Sequence, residues 1–272
     1  MTVIFFFMSS AVHEFLILKI YSMSENNTHY IYGLHAVQAV LEREPEMVSK
    51  VWLENSRRDD KAKKILQLSH DANVKPERVK REVLDKLVGD NANHQGVVAL
   101  SKDTPAGNEA TLKQLIEDLT VPPFLLILDG VQDPHNLGAC LRTADAVGVH
   151  AVIAPKDKAT GLTSVVRKVA CGAAETVPFI QVTNLARTIR DLQHLGVWMI
   201  GTSLDTEQDI YQVDLKGPLA LVLGAEGKGL RRLTAENCDT LVKLPMLGTV
   251  QSLNVSVSAG VCLYEAVRQR RQ

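Results

Sequence analysis

The stretch FLLILDGVQDPHNLGACLRTADAVGVHAVIAP, residues 124–155, decides the fold class of the second half of this chain. It begins and ends with the apolar runs FLLILD (124–129) and HAVIAP (150–155), and a helical pattern, NLGACLRTADAVG (136–148), lies between them. Apolar runs that do not alternate with polar residues are typical of strands buried on both faces of a parallel sheet. The stretch therefore predicts a strand–helix–strand unit.

The same alternation continues toward the end of the chain. Helical segments such as LARTIRDLQHLG (185–196) separate four more apolar runs, which predict strands: VPFIQV (177–182), VWMIG (197–201), LALVLG (219–224) and TLVKLP (240–245). Repeated alternation of this kind predicts a doubly wound α/β domain with a mostly parallel sheet. Because ligands of such domains bind beyond the carboxyl ends of the strands, the loops there are the first places to look for a site.

A smaller α/β unit of about 75 residues is predicted upstream of this domain. Its predicted elements are a helical stripe in YIYGLHAVQAVLER (30–43), strands KVWLEN (50–55) and HQGVVALS (94–101), and helices over 58–72 and 78–88. Prolines and small polar residues between about 103 and 122, interrupted by the helical TLKQLIEDL (111–119), indicate a linker.

Overall composition gives no sign of a nucleic-acid partner. The 272 residues are 46% hydrophobic and 22% charged, and 30 Lys+Arg against 31 Asp+Glu give a net charge of −1. These values exclude a disordered chain and a generally basic, non-specific binder. Two local stretches are basic, however: RRDDKAKK (57–64) and KPERVKR (75–81). Phosphate contacts depend on such local surfaces, so a selective RNA binder remains compatible with the charge.

The four cysteines, Cys140, Cys171, Cys238 and Cys262, stand 24 or more residues apart. No pair has the spacing of a zinc knuckle or of a redox dithiol. We therefore expect buried, reduced thiols in a cytoplasmic protein, and no metal site.

Residues 1–22, MTVIFFFMSSAVHEFLILKIYS, are far more apolar than the chain that follows. A secretory signal would place a basic residue before its apolar stretch, but the first one here is Lys19. Charged and polar residues also interrupt any membrane span. We predict that Met23 is the working start, that residues 1–28 are an apolar leader outside the native fold, and that the protein has no membrane partner. Secretion stays the alternative, because two serines and an alanine could mimic a cleavage site.

The loop LDGVQDPHNLGACLRTAD, residues 128–145, carries the first candidate residues. Asn136 stands where the helix cap is expected, and Arg142 falls in the second turn of the predicted helix. An arginine near a helix N-terminus can clamp a phosphate, although an exposed helix arginine is equally compatible with a solvated surface.

Two further loops are unusual. In LVLGAEGKGLRR (221–232) the glycine spacing is G-x-x-G-x-G, which is neither a dinucleotide fingerprint nor a Walker motif, so NAD- and NTP-using enzymes are disfavoured. Glu226 within this turn either contacts a ligand or caps a helix start. In KLPMLGTVQSLNVSVSAGVCLYEAVRQ (243–269), Ser252 and Asn254 lead into an apolar helix, either as its cap or as part of a site.

Together the three loops resemble the SPOUT-class, TrmH-type RNA 2′-O-methyltransferases, in the branch that contains the tRNA and rRNA guanosine enzymes. The matching blocks are N-x-G-x-x-x-R from Asn136, L-G-x-E-G-x-G from Leu223 and L-P-M-x-G-x-x-x-S-L-N-V-S from Leu244. The resemblance covers almost the whole chain after Met23, and YIYGLHAVQAVL, NHQGVVA and RKVACGAAE are similar to the rRNA enzymes in particular.

The family resemblance implies a more specific architecture than the strand pattern does. It implies an L30e-like RNA substrate-binding domain over residues 29–102, a linker over 103–122 and a SPOUT methyltransferase domain over 123–272. In such domains the C-terminal segment passes through a loop and forms a deep trefoil knot. The resemblance also implies a homodimer packed through the knot, to which the helix from Val257 to Val267 would contribute.

The implied activity is 2′-O-methylation of a specific guanosine ribose in 23S rRNA, free or in an assembling large subunit, with S-adenosyl-L-methionine as cofactor and without a metal. The residues implied to bind the cofactor are Thr202, Gly224, Leu244, Met246 and Leu253. Those implied to act in catalysis are Asn136, Arg142, Glu226, Ser252 and Asn254. Because an arginine stays protonated, Arg142 is expected to clamp phosphate or stabilise an alkoxide, although a role in deprotonation stays open.

Other functions share parts of this pattern. A tRNA guanosine enzyme or a resistance-type rRNA methyltransferase would carry out the same chemistry on another RNA. A non-catalytic RNA-binding protein of the same fold is the alternative of another class, and intact polar residues in all three loops argue against it.

Overall fold

A computed structural model describes residues 28–89, 92–102 and 106–272 of the chain. Met23 and all of the predicted leader except Thr28 lie outside the described residues, as do the first three residues of the predicted linker. The described chain forms two sheets, one of four strands and one of six. No helix within the described ranges is both long and apolar enough to cross a membrane.

The four-stranded sheet has the order β1-β4-β2-β3, in which β4 runs antiparallel to both of its neighbours. Its strands are β1 (Thr28–Tyr32), β2 (Val48–Glu54), β3 (Glu77–Val79) and β4 (Val97–Lys102). Its helices are α1 (Leu34–Arg43), α2 (Asp60–Asp71) and α3 (Arg81–Val88), with a 3-10 turn at Pro45–Met47. Apolar side chains of α1 and α2 pack on the sheet around Val37, Leu53 and Ile65.

Two predicted helix starts in this unit are wrong. The helix predicted over 78–88 begins only at Arg81, because Glu77–Val79 forms β3 and pairs with β2. The helical stripe assigned from Tyr30 begins only at Leu34, because Tyr30–Tyr32 belongs to β1 and pairs with residues 98–100 of β4. Gly33 separates the two elements with a φ of 91°, a left-handed conformation that a glycine adopts without the steric cost of a side chain.

The six-stranded sheet has the order β10-β8-β9-β5-β6-β7, and all of its strand pairs are parallel. Its strands are β5 (Phe124–Asp129), β6 (Ala151–Pro155), β7 (Phe179–Val182), β8 (Trp198–Thr202), β9 (Leu219–Gly224) and β10 (Thr240–Val242). Every residue of β5 and β6 is buried, as expected for strands covered on both faces. The prediction of an α/β fold with a mostly parallel sheet is confirmed.

Helices cover both faces of this sheet. One face packs against α5 (Pro134–Val147), α6 (Ser164–Ala170), α7 (Ala173–Thr176) and α10 (Val255–Arg270). The other packs against α4 (Glu109–Asp118), α8 (Leu185–His194) and the segment around α9 (Arg232–Glu236). A 3-10 turn, Ile210–Gln212, lies between β8 and β9.

Two predicted details of this sheet are wrong. Asn136 is not the cap of α5, because Asp133 accepts a hydrogen bond from the His135 backbone amide at 2.9 Å and Pro134 occupies the first helical position. Arg142 consequently falls in the third turn. Strand β10 ends at Val242 rather than at Pro245, because Lys243 exchanges backbone hydrogen bonds with the segment 208–210 instead of extending the strand along β8.

The two sheets contact each other through α1 and the α6–α7 corner. His29 lies 3.3 Å from a carboxylate oxygen of Glu175, and a guanidinium nitrogen of Arg43 donates to the Thr176 carbonyl at 2.9 Å. At the corner, Gly172 packs so closely on Ala36 that a Cβ on the glycine would lie 2.9 Å from the Ala36 Cβ. Side chains from both units therefore interlock at this junction.

Candidate active site

The carboxyl ends of four adjacent strands, β10, β8, β9 and β5, form one edge of the six-stranded sheet. Register places Thr202 opposite Val242, and Gly224 opposite Asp129. The loop that follows β10 carries Leu244 and Met246 away from the same edge. Residues predicted from three separate loops thus share the place where parallel sheets bind their ligands.

The glycine-rich turn after β9 folds back on itself. The Gly229 backbone amide donates to the Ala225 carbonyl at 2.9 Å, and Gly227 and Gly229 have φ values of 74° and 65°. A Cβ on Gly224 would lie 2.0 Å from the Gly229 carbonyl carbon and 2.3 Å from the Leu230 nitrogen. Only glycine therefore fits at position 224, where two stretches of backbone are in contact.

An ion pair between the buried Asp129 and the exposed Arg231 closes the other end of this turn. Asp129, the last residue of β5, is 1% exposed and accepts hydrogen bonds from the Arg231 backbone amide at 2.9 Å and from its Nε at 2.5 Å. Sequence reasoning missed this pair. The available signal was the carboxylate that ends an otherwise apolar strand, since a buried aspartate needs a partner.

Asn136 and Asn254 meet although 118 residues separate them. The Asn254 side-chain amide donates to the Asn136 Oδ1 at 3.0 Å. The Asn254 Oδ1 also accepts from the backbone amide and hydroxyl of Ser256, at 2.9 and 2.6 Å, and so caps α10. The structure thereby brings together two of the predicted catalytic residues.

Glu226 lies near this pair. It is exposed, and it lines a cavity of about 170 Å³ together with Asn136, Val255 and residues of the loop that follows β5. Ser252 is exposed on the approach to α10 and does not line that cavity in the described chain. Of the remaining predicted cofactor residues, Leu244 packs partly against the core, Met246 is half-buried and Leu253 is 37% exposed.

Arg142 points elsewhere. Six residues after Asn136, about 1.7 helical turns, its side chain leaves α5 on another side. One guanidinium nitrogen lies 3.6 Å from the Cys171 Sγ. Arg142 lines a separate cleft of about 1220 Å³ between the two sheets, with Tyr32 on the opposite wall. Partial burial and the nearby Cys171 raise the pKa of Tyr32.

The cysteines correct one prediction. All four are free, but Cys171 is exposed and Cys238 is only partly buried, whereas we expected four buried thiols. Burial raises the pKa of Cys140, Cys238 and Cys262 to about 12, so these thiols are poor nucleophiles. Among the residues that the structure describes, no three His, Cys, Asp or Glu side chains are grouped as metal ligands would be.

Comparison with known families agrees with this arrangement. Residues 123–264 match the SpoU rRNA Methylase family, and residues 30–105 match the family described as RNA 2'-O ribose methyltransferase substrate binding. The chain belongs to the SpoU rRNA methylase family. The match to the methylase family contains the whole six-stranded sheet. The match to the substrate-binding family contains most of the four-stranded sheet.

Similar proteins include two rRNA methyltransferases of the same description. The 23S rRNA (guanosine-2'-O-)-methyltransferase RlmB of Pseudomonas putida is 55% identical over 241 residues, which cover 89% of this chain and 96% of that protein. RlmB of Vibrio cholerae is 54% identical over 88% of this chain and 96% of its own length.

Two solved methyltransferase structures show the same fold. The SpoU methyltransferase AviRb from Streptomyces viridochromogenes, in complex with AdoMet, has a TM-score of 0.73 at 21% identity and covers 95% of this chain and 98% of its own. AdoMet-bound rRNA methyltransferase from Sinorhizobium meliloti has a TM-score of 0.72 at 22% identity, with 97% of each chain covered.

Proposed function

We propose that this SpoU-family protein methylates the 2′-hydroxyl of a specific guanosine ribose in 23S rRNA, with S-adenosyl-L-methionine as methyl donor. The observation that carries the proposal is the 55% identity to an RlmB rRNA methyltransferase over 89% of the chain. The intact Asn136–Asn254 contact at the sheet edge supports catalysis rather than RNA binding alone.

The sheet edge suits an adenosyl cofactor. At Gly224 two backbone stretches approach within a distance that excludes any side chain, and Leu244 and Met246, in the loop that leaves the same edge of the sheet after β10, offer half-buried apolar surface. In this proposal these three residues, with Thr202 and Leu253, hold the cofactor. When bound, S-adenosylmethionine supplies an electrophilic methyl group.

The catalytic residues have distinct roles in this proposal. Asn136 and Asn254 fix each other and, with Glu226 and Ser252, position the ribose and the cofactor. Because arginine side chains are poor proton acceptors, Arg142 stabilises negative charge that develops on the 2′-oxygen and contacts a substrate phosphate, while water or that phosphate takes the proton. Since Arg142 lines the larger cleft, the ribose approaches the sheet edge from that side.

The proposal includes a homodimer. Large apolar side chains remain exposed on the loop before α10 and on α10 itself: Leu247 (99%), Val250 (60%), Val257 (50%) and Tyr264 (56%). A second copy packing on this surface would bury them. Analytical ultracentrifugation at micromolar concentration is expected to show a dimer, and a single monomeric species would overturn this part.

The proposed organisation follows the family. It comprises an L30e-like substrate-binding domain over residues 29–102, a linker over 103–122 and a methyltransferase domain over 123–272, whose C-terminal segment forms a trefoil knot. The family matches over 30–105 and 123–264 support the division. A cytoplasmic location follows from the proposed substrate, because bacterial ribosomes assemble there.

The test is methyl transfer from labelled S-adenosylmethionine to 23S rRNA fragments and to assembling subunits, followed by mapping of the modified ribose. We expect one methylated guanosine 2′-oxygen. Methylation of tRNA alone would identify the tRNA alternative, and RNA binding without any transfer would identify a non-catalytic protein.

A further inference from the structure

The cleft between the two sheets is larger than the catalytic residues need. Its volume of about 1220 Å³ exceeds the roughly 300–1,000 Å³ that is usual for a small-molecule pocket. Both family regions contribute to it, since β1, α1 and the segment before β4 form one wall and α5–α7 form the other. The space therefore suits a segment of a polymer better than a single small ligand.

The wall from the substrate-binding region presents rings and amides. Tyr32 is half-buried, and His35, Asn93 and Gln95 are exposed. The Gln95 Oε1 accepts from the Leu34 backbone amide at 3.1 Å, which fixes the side chain and leaves its NH₂ group as the donor. Aromatic rings that stack and amides that hydrogen-bond are the groups that recognise unpaired RNA bases.

The opposite wall presents cations. The acidic groups of the cleft already have partners, since Glu175 binds Arg167 at 2.5 Å and Asp145 accepts from the Thr176 hydroxyl at 2.5 Å. Among the ion pairs of the described residues, none involves Lys168 or Arg142, and both side chains are exposed. These two cations are available to phosphates.

By contrast, the basic stretches that stand out in the sequence are partly neutralised within the chain. Side chains of 57–64 pair with acidic neighbours, as Arg57 does with Asp59 at 2.8 Å and Lys63 with Asp60 at 2.8 Å. Lys168 and Arg142 are therefore better placed to hold RNA next to the site than the basic side chains of residues 57–64 are.

We propose that the cleft holds a single-stranded segment of the substrate RNA, with bases stacked on Tyr32 and His35 and a backbone phosphate on Lys168. The inference rests on the proposed function and extends it by naming where and in what form the RNA binds. Tyr32 lies close to Cys171, whose Sγ contacts Arg142. Bases held on this wall thus lie beside the proposed catalytic arginine.

The experiment measures binding of a single-stranded rRNA fragment at several salt concentrations, without cofactor. Lys168→Gln is expected to weaken binding and to lower the slope of log K against log salt by about 0.7. Tyr32→Leu is expected to weaken it about tenfold without changing that slope, whereas Tyr32→Phe keeps the ring and near-normal affinity. Lys113→Gln is the control, since Lys113 is exposed on α4, across the six-stranded sheet from the cleft.

Folding is monitored by thermal unfolding and by cofactor binding, which none of these variants should change. Should Tyr32→Leu fail to fold, the surface variant Lys168→Gln decides alone. Wild-type affinity in folded Lys168→Gln, with methyl transfer to 23S rRNA intact, overturns the cleft assignment and leaves the proposed function standing. Tight, cleft-dependent RNA binding without any transfer would instead overturn the proposed function.

Discussion

At the scale of single residues, the site depends on side chains with two contacts each. Asn254 donates through its amide nitrogen to Asn136 and accepts through its oxygen from Ser256, so its orientation is determined at both ends. Asp129 in the same way binds both the backbone amide and the guanidinium of Arg231. Such double attachment keeps polar groups in place where a substrate must be positioned.

Replacing Arg142 with alanine tests its role. Because Arg142 is exposed, Arg142→Ala should leave the fold and cofactor binding unchanged while it lowers methyl transfer by about a hundredfold or more, the usual cost of losing a group that stabilises developing charge. Single-turnover transfer to rRNA measures this. Arg187→Ala, on the exposed side of α8, is the matched control, and near-wild-type turnover of Arg142→Ala would contradict the assignment.

Most candidate site residues were predicted because they stand in a motif. Asn136, Glu226 and Asn254 were found in that way, and the structure places all three close to one cavity or to its lining. The Asp129–Arg231 pair joins residues 102 positions apart and belongs to no motif, so local reasoning could not pair them. The separate direction of Arg142 follows from the six residues, about 1.7 helical turns, between it and Asn136 in α5.

At the scale of elements, the turn from Gly224 to Leu230 depends on backbone contact rather than on side chains. Gly224→Ala would place a Cβ 2.0 Å from another backbone atom, and overpacking of this kind costs about 1–3 kcal/mol. We expect Gly224→Ala to lower the free energy of unfolding and to abolish cofactor binding. Gly217→Ala is the control, since nothing lies within 4 Å of a Cβ there and Gly217 precedes β9, at the opposite end of that strand from Gly224. Urea unfolding measures the free energy of unfolding, and calorimetric titration measures cofactor affinity. Normal cofactor affinity in Gly224→Ala would rule out the turn from Gly224 to Leu230 as part of the cofactor site.

The end of α10 contains a pH-sensitive contact. Buried Glu265 accepts two hydrogen bonds at 2.8 Å from Arg268, which lower the pKa of its carboxyl below the ordinary 4.5. A lowered folded-state pKa stabilises the fold above the unfolded-state pKa, and this contribution is lost as the pH falls through the folded-state value. Glu265→Gln should therefore have a lower free energy of unfolding than wild type at neutral pH. As the pH falls from about 5 to 3, its free energy of unfolding should decrease less than that of wild type, because it has no carboxylate to protonate at this position. If the free energy of unfolding of wild type and that of Glu265→Gln changed equally with pH over this range, the prediction would be contradicted.

Long apolar elements were predictable and short ones were not. All six strands of the large sheet were predicted, because apolar runs such as FLLILD admit no other buried role at that length. Strand β1 was missed because its five residues, THYIY, include a single buried side chain and so show no alternation of their own. Helices α6 and α7 were missed because the left-handed Cys171 and Gly172 break the segment into pieces of seven and four residues.

At the scale of the molecule, the junction between the two sheets determines the shape of the cleft. The contact of Gly172 with Ala36 lies beside the His29–Glu175 pair, and both line the same space. A change in this packing should therefore shift one wall of the cleft relative to the other. No local pattern in the sequence indicated this junction, because its partners lie more than 130 residues apart.

Paired glycine substitutions test the junction. Gly172→Ala and Gly148→Ala both force alanine into a left-handed conformation, with φ values of 97° and 74°, but only the first adds an atom 2.9 Å from Ala36. Both should lose about 1–2 kcal/mol of stability from the backbone. Only Gly172→Ala should also lose affinity for rRNA. Urea unfolding and RNA titration distinguish them, and equal RNA affinity in the two variants would show that the junction does not determine the cleft.

The hydrogen bond between Asn136 and Asn254 has a consequence for folding during synthesis. Its two partners are 118 residues apart, and α10, which Asn254 begins, packs on both α5 and β9. During synthesis at about 5–20 residues per second, this contact cannot form until α10 has been made and has left the exit tunnel. The Asn136–Asn254 pair would thus form only after all six strands of the large sheet have been synthesised.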